Sequence, residues 1–280
     1  MKKVAIQGIP GSYHDIAAHK YFEHEDIELV CCSTFEGIFE SMSHDPQMIG
    51  LLAIENTIAG SLLHNYELLR NSGFIIIGEH KLRIRHSCVC LPEDDWDSIY
   101  EVNSHPVALA QCHDFLKAHP KFKVVQTCDT ASSAKNIVKH HLAGHAAICS
   151  HYAAELYQLK VLEEGIETNK HNFTRFMVVA HPDVAASMNA QHKINKSTMV
   201  FSLPHCEGSL SQVLSIFSFY KINLTKIQSL PIIGREWEYL FYVDLLFNEY
   251  THYRQAIEAV KPLTKELKIL GEYAEGTSTI

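Results

Sequence analysis

Ile49-Gly50-Leu51-Leu52-Ala53-Ile54 is an apolar run closed by the polar triplet Glu55-Asn56-Thr57. An unbroken apolar run of this length reads as a strand buried on both faces, the kind found in parallel sheets covered by helices. Phe176-Met177-Val178-Val179 reads the same way, and Asn172-Phe173-Thr174-Arg175 leads into it. Polar residues flanking a buried strand sit at the strand mouth, where open α/β sheets bind ligands. A guanidinium beside a hydroxyl suits a small carboxylate-bearing molecule, because it forks onto a carboxylate with two parallel hydrogen bonds. Taken alone, a surface salt bridge at Arg175 and an ordinary strand residue at Thr174 explain the stretch equally well.

Outward from these runs, strands and helices alternate. Residues 3–8 read as a strand, and the turn Gly8-Ile9-Pro10-Gly11 leads to a helix that Ser12 caps, with Asp15 in its first turn. A strand at about 27–31 precedes a helix capped by Ser33 or Thr34. Gly60-Ser61 opens a helix running to about Arg70, and strands follow at 74–84 and 86–91. Two strand–helix alternations fill 99–140, then Ala146-Ala147-Ile148-Cys149 forms a strand before a helix at 151–157. This alternation implies a parallel sheet covered by helices, divided into two lobes. Polarity rises and periodicity fades across 181–196, which reads as a linker. Beyond it, strand 197–203, helix 209–219, strands 222–229 and 237–246, helix 251–261 and strand 266–272 spell β-α-β-β-α-β, the ferredoxin-like arrangement.

Composition restricts the function. Apolar residues make up 46% of the 280-residue chain and charged residues 20%, ordinary values for a soluble globular protein. A net charge of −8 without a basic block argues against nucleic acid as a partner. No apolar run approaches the length of a membrane span, and Met1-Lys2-Lys3-Val4-Ala5-Ile6 passes straight into a strand rather than a signal peptide. The 8 cysteines are scattered, several inside apolar runs, as expected of reduced thiols in a cytoplasmic protein. The 19 histidines include His140, His141 and His145, but no carboxylate or cysteine stands at a supporting spacing, so no metal site is expected.

Polar elements fall at the strand-to-helix turns. Gly8-Ile9-Pro10-Gly11-Ser12 and Gly60-Ser61 offer backbone amides, which favour anions. Ser104-His105-Pro106 precedes a helix carrying Gln111. No Walker A loop or Gly-x-Gly-x-x-Gly fingerprint is present. Together with Thr174 and Arg175, these turns could line a cleft between lobes for a small anionic molecule.

The ordered set of segments resembles the prephenate dehydratase family over nearly the whole chain. It comprises Gly8–Ser12, Ala53–Ser61, Ser104–Cys112, Asp129-Thr130-Ala131, Ala146–Ser150 and the signature Thr174-Arg175-Phe176. The tail is similar to the family's ACT regulatory domain through Gly208-Ser209-Leu210 and Ile222-Asn223-Leu224-Thr225-Lys226-Ile227-Gln228-Ser229-Leu230-Pro231. The resemblance implies a two-lobed, periplasmic-binding-protein-like catalytic domain at 1–180, a linker at 181–196, an ACT domain at 197–272 and a tail at 273–280.

It also implies the chemistry. Prephenate loses carbon dioxide and its ring hydroxyl to give phenylpyruvate. Aromatisation drives the reaction, so no cofactor is expected. Thr174 is then the residue that hydrogen-bonds the departing hydroxyl, with Glu55 the alternative acid and Arg175 a carboxylate holder or a brace of the cleft. Substrate contacts fall to Ser12, Asn56, Thr57, Gly60, Ser61, Ser104, Gln111, Thr130 and Phe176.

Allosteric phenylalanine would be held by Gly208, Ser209, Leu210, Asn223, Leu224, Gln228 and Ser229, and paired ACT sheets imply a homodimer or homotetramer. Some positions depart from the family pattern. Ser12 stands for a common Thr and Thr57 for Ser, both keeping the hydroxyl, while Val107 replaces a Gln. Gln228 and Leu230 stand where Glu and Arg are common, which weakens the expectation of feedback inhibition. The rival expectations are arogenate dehydratase, the same chemistry on the aminated substrate, and a non-catalytic small-molecule sensor.

Overall fold

The structure is a computed structural model that describes residues 1–189 and 193–279. The chain opens with β1 (Lys2–Gln7), α1 (Tyr13–Tyr21), β2 (Ile27–Cys32), α2 (Phe35–His44) and β3 (Ile49–Asn56). β4 (Gly60–Ser61), α3 (Leu63–Ser72), β5 (Ile75–Arg83) and β6 (Ser87–Cys90) come next. β7 (Glu101–Ser104), α4 (Pro106–Gln111), α5 (His113–Ala118), β8 (Lys123–Gln126) and α6 (Thr130–His140) follow. Then come β9 (His145–Cys149), α7 (His151–Leu156), β10 (Lys160–Glu164), β11 (Phe173–Ala180) and α8 (Pro182–Asn189). The chain finishes with β12 (Lys196–Ser202), α9 (Ser209–Phe219), β13 (Asn223–Pro231), β14 (Tyr239–Leu246), α10 (Tyr250–Val260), β15 (Lys265–Tyr273) and β16 (Ser278–Thr279).

Two compact units result: of the described residues, 1–62, 80–176 and 278–279 form the first, and 63–79 with 177–189 and 193–277 the second. In the first unit, β1 pairs in parallel with both β2 and β3. Parallel neighbours need crossover connections, here α1 and α2. Val4, Ala5, Ile6, Leu51, Leu52 and Ile54 are fully buried, which is why these strands are apolar without alternation. The helix starts are written into the sequence. Ser12 Oγ accepts from Asp15 N at 3.3 Å, Thr34 Oγ1 from Gly37 N at 3.1 Å and Asp129 Oδ1 from Ser132 N at 2.6 Å. Each such cap stabilises its helix by about 1 kcal/mol.

The second sheet of this unit has the order β10-β6-β9-β7-β8. Its residues alternate between two cores. Cys88, Cys90, Ala146 and Ile148 face one, while Val89, Leu91, Ala147 and Cys149 face the other. The buried thiols serve as small hydrophobes.

In the second unit β13, β14, β12 and β15 are neighbours in that order, all antiparallel. Val213 and Phe217 of α9 and Tyr253, Ala256 and Ile257 of α10 share a core with Met199, Phe201, Val243 and Leu245. Residues 196–273 thus form β-α-β-β-α-β, with both helices contributing to one core. Gly271 pairs with Ile76 of β5, and a Cβ at Gly271 would run into the Ile76 carbonyl oxygen, so that contact requires glycine.

Some local expectations are corrected. Gly60 and Ser61 do not open a helix: they pair back on Asn56 and Glu55 as β4, and α3 starts at Leu63. The stretch read as a linker contains α8, and its residues 190–192, like residue 280 of the tail, lie outside the described residues. β10, whose Val-Leu pair is flanked by charged residues, is an additional strand.

Candidate active site

A cavity of about 420 Å³ opens in the first unit, lined from both of its sheets. Asn56 and Thr174, ending β3 and beginning β11, come from one side, and His105, Gln111 and Thr130 from the other. His86 lines it from the segment joining β5 to β6. The starts of α1, α2 and α6 reach it through Ser12, Phe35 and Thr130. Among the described residues, no lysine or arginine belongs to the lining. The lining does hold the Glu36 and Asp129 carboxylates, so its positive potential comes from the helix dipoles and from those first-turn N–H groups that the caps leave open.

One amide organises the floor. Asn56 Oδ1 accepts from Ile58 N at 3.0 Å and Ala59 N at 2.8 Å, which fixes which end of the amide is oxygen. Asn56 Nδ2 then donates to Thr174 Oγ1 at 3.0 Å, to Asn172 Oδ1 at 2.8 Å and to Phe173 O at 3.2 Å. Because Thr174 accepts from Asn56, its own O–H is directed elsewhere and can serve as a donor. Asn172 Nδ2 continues the chain to Gln111 Oε1 at 3.0 Å, and His86 Nε2 meets the same oxygen at 3.0 Å. Asn172 is fully buried, so the path is shielded from solvent.

Strand alternation separates the other expected residues. Thr174 and Phe176 line the cavity, as do Ser12, Asn56, Gln111 and Thr130. Arg175, between Thr174 and Phe176, lies off the lining and pairs with Glu55 at 3.7 Å, so neither side chain is placed at the cavity wall. Thr57 is also off it: its hydroxyl donates to His171 O at 3.1 Å and accepts from Phe173 N at 2.9 Å, clamping β3 to the start of β11. Gly60 and Ser61 lie in β4, and Ser104 is fully buried with its hydroxyl on Ile148 O at 2.6 Å. Gly208, Ser209 and Leu210 form the start of α9, while Asn223, Leu224, Gln228 and Ser229 lie along β13.

The lining also contains Tyr13, His14 and His86, which sequence reasoning passed over, and His105, which it read only as part of the polar turn before the Gln111 helix. His14 Nε2 accepts from Ala53 N at 3.3 Å, and burial pulls its pKa down to about 3, so the ring stays neutral. Burial lowers the pKa of His105 and raises that of Tyr13 well above its ordinary value. Among the described residues, no three His, Cys, Asp or Glu side chains converge as a metal site.

The prephenate dehydratase family model matches residues 4–184. The chain is 33% identical over 269 residues to a bifunctional chorismate mutase/prephenate dehydratase of Buchnera aphidicola, spanning 95% of this chain and 69% of that protein. It is 34% identical over 289 residues to arogenate dehydratase 5 of Arabidopsis thaliana, spanning 97% of this chain and 67% of that one. The solved prephenate dehydratase from Arthrobacter aurescens, in complex with L-Phe, shares the fold with a TM-score of 0.84 at 24% identity, covering 97% of this chain and 89% of that one. With the model matched over more than half of the chain and relatives aligned along almost its full length, this chain belongs to the prephenate dehydratase family.

Proposed function

We propose that the protein converts prephenate to phenylpyruvate in phenylalanine biosynthesis. The bond from the ring to its carboxylate breaks and carbon dioxide leaves. The released electron pair enters the ring and expels the hydroxyl on the opposite carbon, which departs as water once a proton from the medium joins it. The observation that carries this reading is the Thr174 hydroxyl, turned by Asn56 so that its proton is available inside a cavity onto which three helix N-termini open.

Thr174 donates a hydrogen bond to the departing oxygen as charge develops there, a transition-state interaction rather than outright proton transfer, since an alkyl hydroxyl is a weak acid. The position of Glu55, off the lining and beside Arg175, favours Thr174 over it for this role. Arg175 braces Glu55 behind the cavity. The helix N-termini hold the substrate carboxylates, with Ser12 and Thr130 beside them.

Residues 197–272 are assigned as an ACT domain that binds L-phenylalanine and joins the chain into a homodimer or homotetramer. The β-α-β-β-α-β order supports this, as does the L-Phe complex of the Arthrobacter relative.

Ultraviolet detection of phenylpyruvate formed from prephenate at neutral pH tests the reading. Product above the spontaneous rate is expected, with suppression by phenylalanine marking a working regulatory domain. Turnover of arogenate alone would transfer the assignment to the activity named for the Arabidopsis relative. Turnover of neither would leave a small-molecule sensor.

A further inference from the structure

Tyr13, His86 and Gln111 form a hydrogen-bonded row at the cavity wall that the reaction as drawn does not use. His86 Nε2 is 3.0 Å from Gln111 Oε1, and His86 Nδ1 is 2.8 Å from Tyr13 Oη. Gln111 Oε1 also accepts from Asn172 Nδ2, so it is an oxygen and His86 must donate to it from Nε2. Tyr13 Oη lies 2.7 Å from the Arg85 carbonyl oxygen, which can only accept.

The phenol has a single proton for two neighbours. With a neutral imidazole, that proton goes either to Arg85 O or to His86 Nδ1, and one of the two contacts lacks a hydrogen. With an imidazolium, Nδ1–H donates to Tyr13, Tyr13 donates to Arg85 O, and Nε2–H donates to Gln111. Every contact is then satisfied with the heavy atoms where they stand. We propose that His86 is a positioning residue that becomes an imidazolium when the dianionic substrate fills the cavity, using Tyr13 and Gln111 as its two fixed acceptors.

The surroundings fit a ring poised between states. His86 is 2% exposed, and burial lowers its pKa, opposed by the Gln111 hydrogen bond and by Glu167. The Glu167 carboxylate accepts from the His86 backbone N–H at 3.0 Å, and its Oε1 is buried without a hydrogen-bond partner among the described residues. Cys112 and Cys149, the thiols that face Tyr13 together with Glu167, have pKa values pushed up to about 12 by burial and stay neutral. Two substrate carboxylates, added to the Glu36 and Asp129 carboxylates of a lining that has no described lysine or arginine, then tip a balance that desolvation holds toward the neutral ring. The cation sits behind Gln111, whose Oε1 also receives Asn172, so gaining the proton tightens the path to Asn56 and Thr174.

The inference rests on prephenate being the substrate and is tested by the pH dependence of kcat and of kcat/KM for its turnover. The first reports the bound enzyme and the second the free one. We expect the alkaline limb of kcat to lie about one pH unit or more above that of kcat/KM. His86→Gln should erase that separation and lower kcat/KM at neutral pH by about tenfold or more. Tyr13→Phe, which keeps the ring but removes an acceptor, should bring the kcat limb down by about one pH unit. Coincident limbs in the unaltered enzyme, or a separation that survives His86→Gln, would overturn the inference while leaving the dehydratase reading intact. Absence of prephenate turnover at every pH would overturn both.

Discussion

Asn56 Nδ2 donates to the Thr174 hydroxyl at 3.0 Å, while Asn56 Oδ1 is held by the backbone N–H groups of Ile58 and Ala59. The amide therefore cannot flip, and Thr174 is obliged to accept from it. Asn56→Asp keeps the acceptor for both backbone groups but replaces the donor with a carboxylate oxygen. Thr174 must then give its proton to that carboxylate instead of to the substrate. We expect kcat of the folded enzyme to fall about 100-fold, alongside a stability loss of about 1–3 kcal/mol because Asn172 Oδ1 and Phe173 O lose the same donor, measured by turnover and calorimetry side by side. An unchanged kcat in the folded, destabilised variant would show Asn56 to be a structural residue only.

Thr174 gives a companion test. Thr174→Val preserves shape and strand propensity while deleting the hydroxyl, and the expected loss is about 100- to 10,000-fold in kcat. Thr174→Ser keeps the oxygen and should stay within about tenfold of the original rate. A Thr174→Val enzyme at full rate would remove Thr174 from the mechanism.

How much of this was legible in the sequence depends on the range of the signal. Ser12 and Thr34 announce their helices because a cap is a local contact spanning three residues. The second unit's element order was readable for the same reason, since turns and periodicity are local. Gly60-Ser61 misled because glycine before a polar residue marks a turn as readily as a helix start, and the pairing of Gly60 with Asn56 decided it. Strand alternation, applied at Thr174-Arg175-Phe176, would have placed Arg175 opposite its neighbours. Tyr13 and His86 gave no local signal: the two partners stand 73 positions apart in the chain, and a lone histidine among 19 looks like any other.

Within the second unit, Lys196 and Glu79 form an ion pair at 2.7 Å with both side chains at most 2% exposed, and Gly276 N also donates to Glu79 at 3.2 Å. Removing the lysine takes the counter-charge away from a buried carboxylate, whereas removing both charges does not. Lys196→Met should cost about 3–5 kcal/mol in chemical denaturation, and adding Glu79→Gln should recover much of it. A double variant no better than the single one would show that the pair is not the source of the loss.

Gln228 and Leu230 occupy the half-buried face of β13, alternating with exposed Ser229 and Pro231. On the regulatory reading, these positions lack the paired charges common in the family's phenylalanine site. Gln228→Glu with Leu230→Arg should therefore lower the phenylalanine concentration for half inhibition, by about tenfold if one charge-assisted contact is regained. Inhibition curves of the two proteins measure this, and unchanged curves would mean that β13 does not contact the ligand.

His14 makes the cavity wall acid-sensitive. Its pKa falls from 6.5 to about 3 on folding because burial penalises the imidazolium. Between those values the unfolded chain binds a proton that the folded chain does not, so acid favours unfolding. The stability that His14 contributes is complete above pH 6.5 and is lost as pH falls toward 3, at about 1.4 kcal/mol per pH unit. His14→Gln keeps an acceptor for Ala53 N and removes the titration. Its unfolding free energy should therefore decline less steeply than that of the original protein between pH 6.5 and about 4.5, and parallel declines would show that His14 takes up its proton without unfolding the chain.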